Sequence, residues 1–225
     1  MTQILSDPAA PNPSEGSPID PDQQHRLKMQ RRQQVQQERL AAMQDHKGLI
    51  LVNTGHGKGK SSAGFGVIFR ALGHGMKVGI VQFIKGAWDP GEAKLLRQMQ
   101  STSAEWADLI EFHAMGEGFT WETQDRQRDI DHAEAAWTQS LILINSGSFQ
   151  VVLLDEINVA LKLGYLAAEN ILLGLESKPP MTHVILTGRG APPELLERAD
   201  LVTEMTLVKH PFREQGIKAQ QGIEY

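Results

Sequence analysis

Residues 49–61 read Leu-Ile-Leu-Val-Asn-Thr-Gly-His-Gly-Lys-Gly-Lys-Ser. The four aliphatic residues Leu49 to Val52 predict a short buried strand. From Ser61 to Leu72 the apolar residues Phe65, Ile68, Phe69 and Leu72 recur at helical spacing, and Gly73 and Gly75 stop the helix. Between strand and helix, Gly55, Gly57 and Gly59 let backbone amides turn inward without Cβ obstruction. The helix N-terminus adds the positive end of a dipole, and a lysine supplies a point charge, so the segment from Thr54 to Ser62 predicts a phosphate-binding loop. Gly59, Lys60 and Ser61 match the end of the Walker A pattern. Its first glycine, however, would fall on Thr54, and Gly55 sits one place later. The loop is therefore non-standard, and ordinary γ-phosphate hydrolysis does not follow from it.

Outward from this loop, apolar runs alternate with amphipathic stretches. Strands are predicted at Val78 to Ile84, Leu109 to Phe112, Val151 to Leu154, His183 to Leu186 and Leu201 to Val208. Helices are predicted at Glu92 to Gln100, along the face formed by Ile130, Ala133, Trp137, Leu141 and Ile144, from Ala160 to Ser177 with a break near Gly164, and around Glu194 to Arg198. Such alternation predicts an α/β fold, a mostly parallel sheet with helices on both faces, P-loop NTPase-like. Residues 1–24, with five prolines before position 22, read as a disordered tail, 25–47 as an N-terminal helical arm, and 48–225 as the P-loop domain.

Composition excludes several chemistries. The 225 residues include no cysteine, which removes disulfides, thiolate nucleophiles and cysteine-ligated metals. The longest aliphatic runs fall far short of the ~20 residues that cross a bilayer, so no membrane span is expected. The first residues lack an apolar signal core, and a cytoplasmic location is the expectation. The arm carries six bases (Arg26, Lys28, Arg31, Arg32, Arg39, Lys47) against Glu38 and Asp45, whereas the whole chain has a net charge of −5. An acidic body disfavours general nucleic-acid binding. The arm reads equally as a solvated helix or as a contact for a phosphate-rich ligand.

Asp155 and Glu156 follow four aliphatic residues, the position at which a Walker B acid leaves a buried strand beside a phosphate loop. One of the two, with the Ser61 hydroxyl, is expected to hold Mg²⁺. Arg189, in Thr-Gly-Arg-Gly after another strand, falls at the same sheet edge and suits a triphosphate as well as a surface role. Arg70, in the helix after the loop, reads either as a ligand contact or as a structural ion pair. Phe119 and Trp121 are flanked by glycines and call for an apolar partner; alone, they read more simply as a satellite of the core. No Ser-His-Asp spacing, GxSxG elbow, HExxH or kinase signature is present.

Taken together, TGHGKGKSSA at 54–63, RALGHG at 70–75, VQFIKG at 81–86, MGEGFTWETQD at 115–125, LLDEIN at 153–158, LTGRGAPPELLERADLVTEM at 186–205 and VKHPFREQGIKAQQGIEY at 208–225 resemble the P-loop class of ATP:corrinoid adenosyltransferases. The resemblance runs from about residue 25 to the end. His56 stands where the family often has Asn, and Ser61 and Ser62 replace Thr. The resemblance implies transfer of the 5′-deoxyadenosyl group of ATP to the Co(I) of a corrinoid, with release of triphosphate. It implies that Lys60, Lys58, Arg189 and the loop amides of Thr54, Gly55, His56, Gly57, Gly59, Ser61 and Ser62 hold the phosphates, with Arg70 as a further contact. It also implies a cation, Mg²⁺ or Mn²⁺, on Ser61 with Glu156 favoured over Asp155. The corrinoid would be a cobalamin, a cobinamide or a cobyrinic acid a,c-diamide, reduced by a flavin or flavoprotein. In the family the aromatics matching Phe119 and Trp121 take the place of the lower axial ligand, and the N-terminal segment folds over the corrinoid site of a homodimer. The competing reading is a P-loop ATPase or an ATP-dependent binding regulator.

Overall fold

The computed structural model describes residues 20–43, 45–84, 90–116 and 125–224. The chain divides into two compact units, Met1–Asp45 and His46–Tyr225. Among the described residues the first contains one helix, α1 (Pro21–Ala41), which buries none of its residues. Pro21 at its first turn and the Asp20 carboxylate, which accepts the Asp22 N–H at 3.3 Å, start it there. Residues 21–24, expected in the tail, thus belong to the helix. Leu27, Met29, Val35 and Leu40 are exposed, as a stripe too sparse for a core of its own must be.

The second unit contains β1 (Ile50–Thr54), α2 (Lys60–Gly73), β2 (Val78–Gln82), α3 (Gly91–Thr102), α4 (Ala104–Leu109), β3 (Ile110–Ala114) and α5 (Arg126–Asn145). It continues with β4 (Val151–Asp155), α6 (Ile157–Lys162), α7 (Ala168–Glu176), β5 (His183–Thr187), α8 (Pro193–Arg198), β6 (Leu201–Glu204) and α9 (Pro211–Gln215). The six strands form one sheet in the order β3-β2-β4-β5-β1-β6, and all neighbours run parallel. A parallel sheet needs cover on both faces, and two apolar clusters supply it. Successive residues of β4 alternate between them. Val151 and Leu153 pack with Phe65, Ile68 and Leu72 of α2, while Val152 and Leu154 pack with Ala133, Trp137 and Ile144 of α5. Each such aliphatic side chain, fully enclosed, contributes about 1.5–3 kcal/mol.

Two helices, α4 and α9, were not foreseen. Ser103 starts the first by accepting the Trp106 N–H, and Pro211 opens the second. The last strand is shorter than expected, stopping at Glu204 and not at Val208. β1 ends at Thr54, so beyond the bond from the Met205 N–H to the Thr54 carbonyl no ladder remains, and the Met205 carbonyl turns to accept the Gly57 N–H. No helix among the described residues is long and apolar enough to cross a membrane.

Candidate active site

Parallel pairing puts every strand's carboxyl end on one edge of the sheet, and the crossover at β1 opens a crevice there. Gln82 of β2 is the register partner of Asp155 of β4, and Asn53 of β1 that of Thr187 of β5. In each strand the preceding residue (Val81, Leu154, Leu186, Val52) belongs to the α5 face. The period-two alternation therefore turns these four residues toward α2, whose N-terminus carries Lys60 and Ser61.

The loop that enters α2 is held from behind by the chain after β6. The Gly57 N–H donates to the Met205 carbonyl at 2.6 Å, and a Cβ on Gly55 or Gly57 would come within 2.5 or 2.8 Å of that same oxygen. Gly55 (φ 95°) and Gly59 (φ 103°) adopt backbone that a side chain would strain. The Thr54 hydroxyl accepts the Ala191 N–H at 3.2 Å, tying the loop to the segment that bears Arg189.

Lys60 is buried, 5% exposed, and its ammonium donates to the Gly57 carbonyl within its own loop. Burial, followed by the nearby Arg189 charge, holds its pKa below the ordinary value, while Glu156 pulls the other way. Asp155 lies deepest. Its Oδ1 accepts the Thr187 hydroxyl at 2.7 Å, its Oδ2 accepts the Gln82 amide at 3.1 Å, and Ser61 also hydrogen-bonds it. Burial pushes its pKa up against those three hydrogen bonds. Glu156 stands further out, within reach of the same Ser61 hydroxyl, whose one proton can serve only one of the two carboxylates, and feels both Lys60 and Arg189. Burial and then the Asp155 charge push its pKa up to about 7. With Asp155 already engaged on both oxygens, Glu156 and the Ser61 hydroxyl are the oxygens left for a hard divalent cation.

The structure thus brings together the loop from Thr54 to Ser61, Asp155, Glu156 and Arg189. His56 and Lys58 are exposed on the loop, Lys58 paired with Glu224, and Ser62 is exposed at the third position of α2. It does not bring Arg70 to them. That residue lies ten positions beyond Lys60, about 15 Å along the helix, and lines an apolar cavity of about 180 Å³ with Leu49, His74 and His183 near the amino ends of the strands. Phe119 and Trp121 lie outside the described residues. Sequence reading missed Gln82, Thr187 and Asn158. Gln82 closes an otherwise apolar strand and Thr187 follows the apolar run Val184 to Leu186, the signal that could have exposed them. The Asn158 amide donates to the Gly188 carbonyl at 3.2 Å, bracing the turn before Arg189.

Comparison with known proteins identifies the family. The family model described as ATP:corrinoid adenosyltransferase BtuR/CobO/CobP matches residues 46–225, and one described as Cob(I)alamin adenosyltransferase N terminal matches 13–40. A corrinoid adenosyltransferase of Pseudomonas aeruginosa is 52% identical over 204 residues, covering 91% of this chain and 97% of the relative. One of Sinorhizobium is 52% identical over 205 residues, covering 91% and 92%. One of Escherichia coli K12 is 41% identical over 204 residues, covering 91% and 99%. A family model over most of the chain and relatives 41–52% identical along nearly their whole length show that this chain belongs to the ATP:corrinoid adenosyltransferase family.

Proposed function

We propose that this enzyme takes the adenosyl group from ATP and transfers its C5′ to the Co(I) of a corrinoid, releasing triphosphate. The observation that carries the reading is the clustering of Lys60, Ser61, Glu156 and Arg189 at the mouth of a loop whose glycines are displaced from the usual pattern. The electron pair of Co(I) forms the cobalt–carbon bond as the C5′–O bond breaks, and that bond's pair leaves on the triphosphate. Co(I) needs no deprotonation, so the protein's work is to hold the leaving group and orient C5′.

Lys60 and Arg189 meet the triphosphate charge, and the loop amides orient it. The Ser61 hydroxyl and the Glu156 carboxylate are oxygen donors fitting Mg²⁺ or Mn²⁺, with Asp155 holding Ser61 from behind. When bound, the cation supplies charge neutralisation to the leaving triphosphate. Phe119 and Trp121 are proposed to face the corrinoid in place of its lower ligand, the N-terminal unit to close over it within a homodimer, and a flavin or flavoprotein to supply the electrons in the cytoplasm.

Anaerobic incubation with MgATP and chemically reduced cob(I)alamin tests the reading. The expected result is loss of Co(I) absorbance, a light-sensitive alkylcobalt product and triphosphate. Conversion of ATP to ADP and phosphate without alkylation would overturn it in favour of an ATPase. Replacing Phe119 and Trp121 with Ala should impair activity starting from cob(II)alamin more than from cob(I)alamin.

A further inference from the structure

Glu156 is the one non-glycine residue with positive φ (63°) among the described residues. It stands where β4 gives way to α6, and a left-handed backbone at such a residue costs about 1–2 kcal/mol unless its surroundings hold it. The contact that holds it comes from the neighbouring strand. The Glu156 N–H donates to the Thr187 Oγ1 at 3.0 Å, and the same hydroxyl donates to Asp155 Oδ1 at 2.7 Å. Thr187 is 0% exposed, so bulk solvent does not reach its hydroxyl. Its γ-methyl packs over Gly64 of α2, where an added Cβ would meet it at 3.0 Å, which fixes the rotamer.

We propose that Thr187 is a positioning residue: its single hydroxyl locks the left-handed turn at Glu156 and the buried Asp155 together, so that the Glu156 carboxylate is held toward Ser61 for the cation. Without the hydroxyl, the Glu156 N–H loses its acceptor and Asp155 loses one of its donors. The backbone then relaxes toward negative φ and carries the Glu156 carboxylate away from Ser61. The inference rests on the proposed role of Glu156 as a cation ligand.

The test uses the full-length protein with ATP and Mn²⁺, following free Mn²⁺ by electron paramagnetic resonance, with Thr187→Val, Thr187→Ser and Glu156→Gln as variants. Thr187→Val should weaken Mn²⁺ binding about tenfold, the scale seen when a group orienting a metal ligand is lost. Thr187→Ser should stay within about twofold of the parent, because the hydroxyl remains. Folded Thr187→Val with unchanged Mn²⁺ affinity would overturn the proposal. If Thr187→Val does not fold, Thr187→Ser decides: retained affinity supports the proposal and lost affinity overturns it. Glu156→Gln separates the two claims. If it binds Mn²⁺ like the parent, the cation reading itself fails; if it loses Mn²⁺ while Thr187→Val does not, only the role of Thr187 fails.

Discussion

Lys58 of the phosphate loop and Glu224, 166 positions later in the chain, form an ion pair. A carboxylate therefore occupies a cation that the proposed reaction needs for phosphate. The Lys58 side chain is 55% exposed, and a pair of this kind contributes about 0.2–1 kcal/mol to folding. Glu224→Gln should leave the melting temperature nearly unchanged and lower the KM for ATP by up to about fivefold, the same energy expressed as affinity. The difference should fade as added salt screens the charges. An unchanged KM at low salt would show that Lys58 does not meet the phosphates.

Lys60 pairs a functional charge with an unfavourable burial. Its pKa is held down by burial and by Arg189, so the folded protein without nucleotide carries this ammonium at a disadvantage. Lys60→Met keeps the length of the side chain and removes the charge. The variant should melt no lower than the parent, while kcat/KM for ATP falls on the order of a hundredfold, as for loss of a charge-assisted contact to a leaving group. A variant that melts lower and keeps its kcat/KM would reverse both expectations.

Acid should loosen the entry to β1 in two steps. The Leu49 N–H donates to His183 Nδ1 at 3.1 Å, and the next amide, of Ile50, donates to Asp200 Oδ2 at 2.9 Å. Burial, then Lys178, holds the His183 pKa below its ordinary 6.5, so its share of stability is complete above that value and is lost as pH falls below it. Hydrogen bonds from Lys47 and Ile50 hold Asp200 below its ordinary 3.8, so its share is complete above that value and is lost at still lower pH. In thermal melts from pH 8 to pH 3 the His183 share should appear as a first decline beginning near pH 6.5, superimposed on the gain from protonating Glu156, whose pKa of about 7 lies above its ordinary value. His183→Gln, with a side-chain oxygen that can accept the same amide, should remove that first decline and keep the second.

Removal of residues 1–45 should separate the two substrates. The second unit, His46–Tyr225, is compact by itself, and both apolar clusters are built from its own residues. The truncated protein is expected to melt like the parent and to bind ATP with a similar affinity, while its KM for the corrinoid rises about tenfold or more, as for loss of a closing lid. Calorimetric titration of ATP and steady-state kinetics with cob(I)alamin measure the two terms. Equal loss of both would assign the segment a structural role.

Much of this protein is written locally. The strand, three-glycine loop and amphipathic helix from Leu49 to Leu72 follow from side-chain periodicity and the steric freedom of glycine, and they appear as β1, a glycine-rich turn and α2. Asp155 was legible because an acid directly after four aliphatic residues must leave the sheet at its carboxyl edge. The order β3-β2-β4-β5-β1-β6 was not legible, since parallel strands pair through backbone groups that every residue shares. Only that order sets Gln82, Asp155 and Thr187 side by side across three strands, with 73 residues separating the first pair and 32 the second. The same limit applies to Arg70, whose motif lies close to the loop in sequence while the rise of the helix carries it to the opposite edge of the sheet. Residue type and spacing determined which groups can do the chemistry; long-range pairing, which no local pattern encodes, decided which of them meet.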